Sequence, residues 1–300
     1  MTESKPGNGQ ATAKVAKSKK KSQFDLVWIR FRKNKLAMLG LVVITILLFA
    51  SMLAPFYIDS NRVFMQNMGN RFHPPSLDYF FGTDQFGRDM FARIMFGGRM
   101  SLSVALASAS ISFGAGILLG CLAAYFGKKV DMAIMRFCDI LMAVPSILLA
   151  MAIVAALGTG LFNMILAISV SAIPARARTA RAAIFTLKGQ EFIEAARCCG
   201  TSHTRILYRH MIPNIIGPLV IDAMFGLGGV ILAVAALGFL GMGIAPPTPE
   251  WGTIISENQI NLMFHPHLGV IPGIFIMVTV LSLNFVGDGL RDALDPKQKN

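Results

Sequence analysis

Charge is scarce in this 300-residue chain: 15% of its residues are Asp, Glu, Lys or Arg, against roughly 25% in a soluble domain. That shortage excludes an ordinary water-soluble domain. The nucleotide-binding loop GxxxxGK[ST] is absent, so this motif gives the chain no ATP site of its own. The four cysteines, Cys121, Cys138, Cys198 and Cys199, show no CxxC or Cys/His spacing. A zinc site and a disulfide framework are thereby excluded, and the cysteines read as small buried side chains. Carboxylates are nearly missing from the apolar runs, where only Asp139 and Asp222 stand out. A secondary transporter couples ions through groups near the bilayer midplane, and the scarcity argues against one. The 18 methionines and 22 phenylalanines are scattered without any cofactor spacing.

What the chain has instead is apolar length. Its composition is 54% hydrophobic, that of an integral membrane protein. Residues 36–58 carry no charge over 23 positions, enough to cross a bilayer that needs ~20. An uncleaved first span is expected there, because a signal peptide has a shorter apolar core. Residues 100–127 form a second run rich in Ser, Ala and Gly, which suits close helix packing. Between Asp139 and Arg176 lie 36 uncharged residues, too many for one helix across ~30 Å of hydrocarbon. The break Gly158-Thr159-Gly160 divides them into spans over 132–157 and 161–184. Fifth and sixth spans follow at 215–240 and 270–287. The predicted fold is an all-α integral membrane protein with six transmembrane helices.

Charge orients it. The net charge is +12, which in a membrane protein bears on topology rather than nucleic acid. Basic residues number ten in the N-terminal tail, three at 128–136, seven at 176–209 and three in the C-terminal tail, against five elsewhere. The positive-inside rule puts both termini in the cytoplasm. The basic tail 1–35, with Lys14, Lys17, Lys19, Lys20 and Lys21, is too polar to fold alone. It either enforces topology or meets anionic headgroups of membrane lipid. Phe24, Trp28 and Phe31 suit an interfacial helix. Residues 59–99 form an extracytoplasmic loop, 100–287 a core of five spans, and 288–300 a short cytoplasmic tail.

The stretch Lys188 to Pro213 is a charged island between apolar runs. Residues 190–199 predict a short helix ended by Gly200, where the terminating turn favours φ > 0. Thr201 or Ser202 then caps a second short helix, which Pro213 ends. Glu194-Ala195-Ala196, then Gly200, then Ile212-Pro213 resembles the EAA loop of importer-type ABC permeases. His210 and Ile212 depart from that pattern, which has aliphatic and Leu residues there, and neither removes the elbow. The ordinary alternative is a basic loop in some other transporter.

Further motifs sharpen the resemblance. Phe81-Gly-Thr-Asp-Gln-Phe-Gly-Arg-Asp-Met-Phe-Ala-Arg93 is similar to the GTDxxGRDxxxR segment of the dipeptide/oligopeptide/nickel permease family, in its C-type subunit. Thr83 or Asp84 would cap a helix there, Asp89 and Arg93 would pair at i,i+4, and Phe86, Met90, Phe91 and Ile94 would lay it on the membrane before the chain turns into the second span. Residues 236–252 resemble the family's outer segment, with Trp251 suited to the interface. Met135 to Asp139 and Gly287 to Pro296 match as well.

The resemblance implies an ABC type I importer permease fold, in the cytoplasmic (inner) membrane of a prokaryote. It implies a homologous second permease subunit, two ABC ATPase subunits that bind ATP and Mg, and an extracytoplasmic solute-binding protein. Di- or oligopeptides are the implied cargo, with nickel or glutathione as alternatives. The chain itself would be no enzyme and hold no cofactor. Glu194, Ala195, Ala196 and Gly200 would couple it to the ATPase. Asp84, Arg88, Asp89 and Arg93 would meet the binding protein, or merely anchor the interface. Asp222 would face the passage and meet a peptide's amino group. Alternatively, Asp139 and Asp222 sit near the cytoplasmic edge, paired with Arg136 or an arginine of the fourth span. A secondary transporter and a non-transporting receptor or scaffold are the readings from other classes.

Overall fold

Asn34 starts the first long helix. Its side chain accepts from the Ala37 N–H at 3.1 Å, satisfying one of the donors that a helix start leaves bare. The computed structural model describes residues 23–294, so the lysine cluster at 14–21 and the end of the C-terminal tail lie outside the described residues. Helices α1 (Gln23–Phe31), α2 (Lys35–Tyr57) and α3 (Ser60–Phe64) come first. They are followed by α4 (Met90–Phe126), α5 (Lys128–Met142), α6 (Ser146–Leu157) and α7 (Leu161–Leu187). Then come α8 (Glu191–Cys198), α9 (His203–Arg205), α10 (Ile212–Phe239), α11 (Trp251–Asn258) and α12 (His267–Leu294). An isolated bridge between Thr83 and Asp89 is the extent of β pairing among the described residues.

Four of these helices are long and apolar enough to cross a membrane, or five if the α5–α6 pair counts as one span. The sequence predicted six. The shortfall is α7, whose second half carries Arg176, Arg178 and Arg181 and is too polar to qualify. The predicted span 132–157 is bent by 85° at Pro145 into α5 and α6, because a proline there cannot continue the helix before it.

Small residues set the packing. A Cβ on Gly120 of α4 would stand 2.8 Å from Ala180 Cβ of α7, so these two helices touch backbone to backbone. Gly40 of α2 does the same against Ser282 of α12, where a Cβ would lie 2.6 Å from the carbonyl oxygen. The main core gathers Met90, Ile94, Val154, Met164, Ile168, Val234, Leu237, Trp251 and Leu283. A second core, at the end of the molecule that carries the elbow, joins Tyr125, Ile184, Ile193, Ile206, Met211 and Leu219.

Several local expectations are corrected. The chain does not turn before residue 100; α4 runs unbroken for 37 residues, about 55 Å at 1.5 Å per residue. Met90 and Ile94 face the core, both 0% exposed, and do not lie on a membrane surface. Trp251 is fully buried rather than interfacial, donating its indole N–H to the Ile94 carbonyl at 3.0 Å. Residues 288–294, read as a tail, continue α12, and Gly289 lies against Ala37 and Phe31. Cys121 and Cys138 are buried as expected, but Cys198 and Cys199 are exposed. The helix expected in the N-terminal region is found as α1, with Trp28 and Phe31 stacked at 5.9 Å and Phe31 buried.

Candidate coupling elbow, passage and outer frame

The elbow is built from its glycine outward. Gly200 has φ +72°, in the left-handed region that a glycine adopts without penalty. Its N–H bonds the Arg197 carbonyl at 2.9 Å, and the Thr201 N–H bonds the Ala196 carbonyl at 3.1 Å. This double bond closes α8 in a Schellman motif. Glu191 and Glu194 stand in the first turn of α8, where negative charge suits the helix dipole. Ile193 turns inward and is 0% exposed, while Glu194 and Ala195 are exposed and Ala196 is half-buried.

The second arm differs from the sequence expectation. Ser202 stands at the N-cap of α9, but makes no side-chain cap bond. Pro213 does not end that arm. Residues 206–211 form a π turn, and α9, this turn and α10 continue as one 37-residue span from His203 to Phe239. The Ile212 N–H reaches back to the Leu207 carbonyl, and the wide turn carries the chain through a proline that has no N–H to give. Both arms are fixed to the end of α4. Tyr125 Oη lies 2.5 Å from His203 Nδ1, Lys188 Nζ donates to the Ala124 carbonyl at 2.8 Å, and Arg197 sits 5.8 Å above the Tyr125 ring.

Above the elbow, the three arginines of α7 each find a carboxylate on another helix. Arg181 holds Asp131 at 2.5 Å, Arg178 holds Asp139 at 2.5 Å and Arg176 holds Asp222 at 2.6 Å. Asp139 and Asp222 thus pair with fourth-span arginines, as one reading expected. A cavity of about 400 Å³ opens beside the last pair, and Arg176 lines it where Asp222 does not.

At the opposite end, Asp84, Arg88, Arg93 and Glu257 form one buried charge cluster. Asp84 Oδ2 accepts from Arg88 Nε and Arg93 Nη1, each at 2.7 Å. Glu257 Oε2 accepts from Arg88 Nη2 at 3.2 Å and Arg93 Nη2 at 2.5 Å. Asp84 and Arg93 are 0% exposed and Arg88 2%, so these side chains bind the frame together and offer no surface for docking. Asp89 does not pair with Arg93. It caps α4, accepting from the Phe91 N–H at 2.9 Å, and pairs with Arg62 at 3.4 Å. Burial pushes its carboxyl above the ordinary range, against the pull of its donors. The cap role expected of Thr83 or Asp84 therefore falls to Asp89. Outside this frame lies a polar groove of about 710 Å³, lined by Arg62, Asn67, His73, Asp78, Tyr79 and Asp89 among others.

Sequence reasoning missed Glu257, Glu250, Tyr125 and His203. Glu250 caps α11, accepting from the Gly252 and Thr253 N–H groups at 3.0 and 2.9 Å and from Ser101 at 2.8 Å. It is 0% exposed, and burial raises its carboxyl despite those donors. The one local signal for it was Glu250 standing next to Trp251 at a helix start. Among the described residues no cluster of His, Cys, Asp or Glu is arranged to hold a metal.

Residues 116–300 match the family model of the binding-protein-dependent transport system inner membrane component. The chain is a permease of that family. Residues 22–75 of the permease match the N-terminal TM domain of oligopeptide transport permease C. The dipeptide transport system permease protein DppC of Alkalihalophilus pseudofirmus is 43% identical over 271 residues, covering 90% of this chain and 89% of its own. The glutathione transport system permease protein GsiD of Escherichia coli O6:K15:H31 is 42% identical over 277 residues, covering 91% and 90%. The permease is thus an ABC importer subunit of the peptide/nickel family. An inward-facing structure of the MetNI methionine ABC transporter superposes with a TM-score of 0.58 at 20% identity, covering 69% of this chain and 98% of that one. The permease therefore shares that fold. Permeases of this kind are inner-membrane components that work with a second permease, ATPases and a binding protein.

Proposed function

We propose that this permease carries di- or oligopeptides across the cytoplasmic membrane as one of two homologous halves, with both termini in the cytoplasm. Two ATPase subunits bind ATP and Mg, and an extracytoplasmic binding protein delivers the cargo. The observation that carries this reading is the elbow. Gly200 closes α8 so that Glu194 and Ala195 face outward beside Phe192, which is 39% exposed, and Tyr208, which is 60% exposed. Apolar side chains this exposed, on a short basic protrusion, suit a groove in another protein. The ATPase is that protein here, and Glu194, Ala195, Ala196 and Gly200 form the contact.

The elbow buries little area, so it transmits displacement more than it adds affinity. Closure of the ATPase dimer pushes α8. The push passes through the π turn into α10, and through Tyr125 and Lys188 into α4, and the spans rock open outward. The buried set Asp84, Arg88 and Arg93 keeps the outer frame rigid during this motion. Contact with the binding protein then falls to the groove around Arg62, His73 and Asp78. The basic count of residues 1–35 and 176–209 supports the orientation.

The test is purification of the chain from its native membrane in mild detergent, followed by reconstitution with whatever co-purifies. An ATPase that co-purifies with the natural chain and is lost from Gly200→Val or Glu194→Lys is the expected result. ATP-dependent uptake of labelled di- and tripeptides, ahead of nickel or glutathione, is expected from the liposomes. Purification of the chain alone across several detergents, or uptake driven by a proton or sodium gradient without ATP, overturns the reading.

A further inference from the structure

The cavity between α6, α7 and α10 is small, mostly apolar and carries one charge. Its volume of about 400 Å³ lies in the range of small-solute sites, roughly 300–1,000 Å³. Ser146 and Ser171 contribute hydroxyls, and Gly226 and Gly229 thin its α10 wall between Phe225, Val230 and Ala233. Arg176 is the one ionisable residue on its wall among the described residues.

The guanidinium is held from one side. Nη1 donates to Asp222 Oδ2 at 2.6 Å and to the Asp222 carbonyl at 3.3 Å. Nε and Nη2 make no hydrogen bond with the described residues. The group leans on Gly226, where a Cβ would stand 2.5 Å from Cζ and closer still to Nη2, and lies 5.5 Å from the centre of the Phe113 ring. Arg176 is 16% exposed and Asp222 25%. A planar guanidinium presents its donors as a fork that matches a carboxylate. Here one nitrogen of the fork is anchored to Asp222. The Nε and Nη2 edge packs by Gly226 without a hydrogen-bond partner among the described residues, and the residue lines the cavity. Ionisable side chains are expensive within a membrane, and where they persist they pair with one another or line the route of a solute.

We infer that Arg176 is a specificity-determining residue of the passage, taking the carboxylate of the passing solute on its Nε and Nη2 edge. Asp222 positions the guanidinium and does not itself touch the cavity wall. This rests on the peptide-import reading and deepens it, since it assigns the recognised end of the cargo. A free peptide carries a terminal carboxylate and its C-terminal amide does not.

The experiment uses the whole reconstituted complex with its binding protein. Initial uptake is measured for one tripeptide and for its C-terminal amide, and each variant is compared with the natural chain peptide by peptide. The binding protein's own preference cancels in that ratio. Arg176→Gln is expected to raise KM for the free acid about tenfold, the size of a lost charge-assisted hydrogen bond, and to leave that of the amide within about twofold. Arg176→Lys, which keeps the charge but not the fork, is expected to fall between. Gly226→Ala keeps the arginine and displaces its guanidinium, so it is expected to show the same selective loss even if Arg176→Gln folds poorly. Equal losses for acid and amide in Arg176→Gln and Gly226→Ala, as a purely structural ion pair would give, overturn the inference while leaving peptide import standing. A natural chain that carries neither peptide overturns peptide import, and the assignment of Arg176 with it.

Discussion

Asp84→Asn isolates what the outer charge cluster contributes. The substitution keeps the shape of the side chain and removes one negative charge. In the natural chain the cluster is neutral, with Arg88 and Arg93 against Asp84 and Glu257. After the change, two buried guanidiniums share a single carboxylate on Glu257, whose side chain is 10% exposed. Removing one partner of a buried ion pair costs about 3–5 kcal/mol. The remaining contacts with Glu257 put the expected loss near the lower end, about 3 kcal/mol. The backbone N–H groups of Phe86 and Arg88 still reach Oδ1, at 2.8 and 3.0 Å, so the local turn survives. In a chain of this size each kcal/mol lowers the melting midpoint by about 2–4 °C, so a fall of roughly 6 °C or more is expected. Fluorescence-detected size-exclusion chromatography of heated, detergent-solubilised protein measures it. Arg62→Ala is the matched control. Its side chain is 60% exposed and pairs with Asp89 at 3.4 Å, and an exposed pair contributes at most about 1 kcal/mol. An Asp84→Asn midpoint within about 2 °C of the natural chain, or an equal fall in Arg62→Ala, would refute the reasoning.

Two other changes probe the remaining contacts. Gly120→Val sets a branched side chain where a Cβ already stands 2.8 Å from Ala180 Cβ and from the Arg181 nitrogen. It is expected to abolish monodisperse protein, whereas Gly114→Val, with nothing within 4 Å, is expected to leave the yield unchanged; similar yields would contradict backbone contact between α4 and α7. Tyr125→Phe removes the hydroxyl that meets His203 at 2.5 Å but keeps the ring. One hydrogen bond is worth about 1 kcal/mol, so amide exchange over 199–206 is expected to quicken about fivefold, and unchanged exchange would mean the elbow is held elsewhere.

How far the chain could be read in advance depended on the distance between partners. The elbow was legible because its causes are local: Gly200, the alanines and the acidic first turn lie within a dozen residues. The arginine pairs of Asp139 and Asp222 were legible because an intramembrane carboxylate needs a partner and α7 offered arginines. The outer cluster was not. Arg93 meets Glu257 across 164 residues, and no spacing rule reaches that far. The i,i+4 rule even pointed the wrong way, since Asp89 spends its carboxylate on the N–H groups that open α4. The run Gly97-Gly98 sits where a turn was expected, yet it is a contact surface. A Cβ on Gly98 would lie 2.9 Å from Trp251 Cζ2, so the glycines let Trp251 bury itself and the helix goes straight on. Pro213 misled in the same manner, because a wide turn upstream removed the need to stop.

The π turn at Ile206–Met211 also gives the elbow an angular address. Each residue of an α-helix rotates the chain by about 100°, and a π turn holds one residue more than a regular turn. The bearing of α8 about the axis of α10 is therefore offset by about one such step from that of an unbroken helix. A descendant that kept every residue but wound this turn as regular α-helix would keep its spans, its glycine and its elbow, yet point the elbow along the wrong azimuth, whereas one that also lost the extra residue would point it as before. Azimuth is thus set by the winding of one wide turn, like the keyway of a shaft.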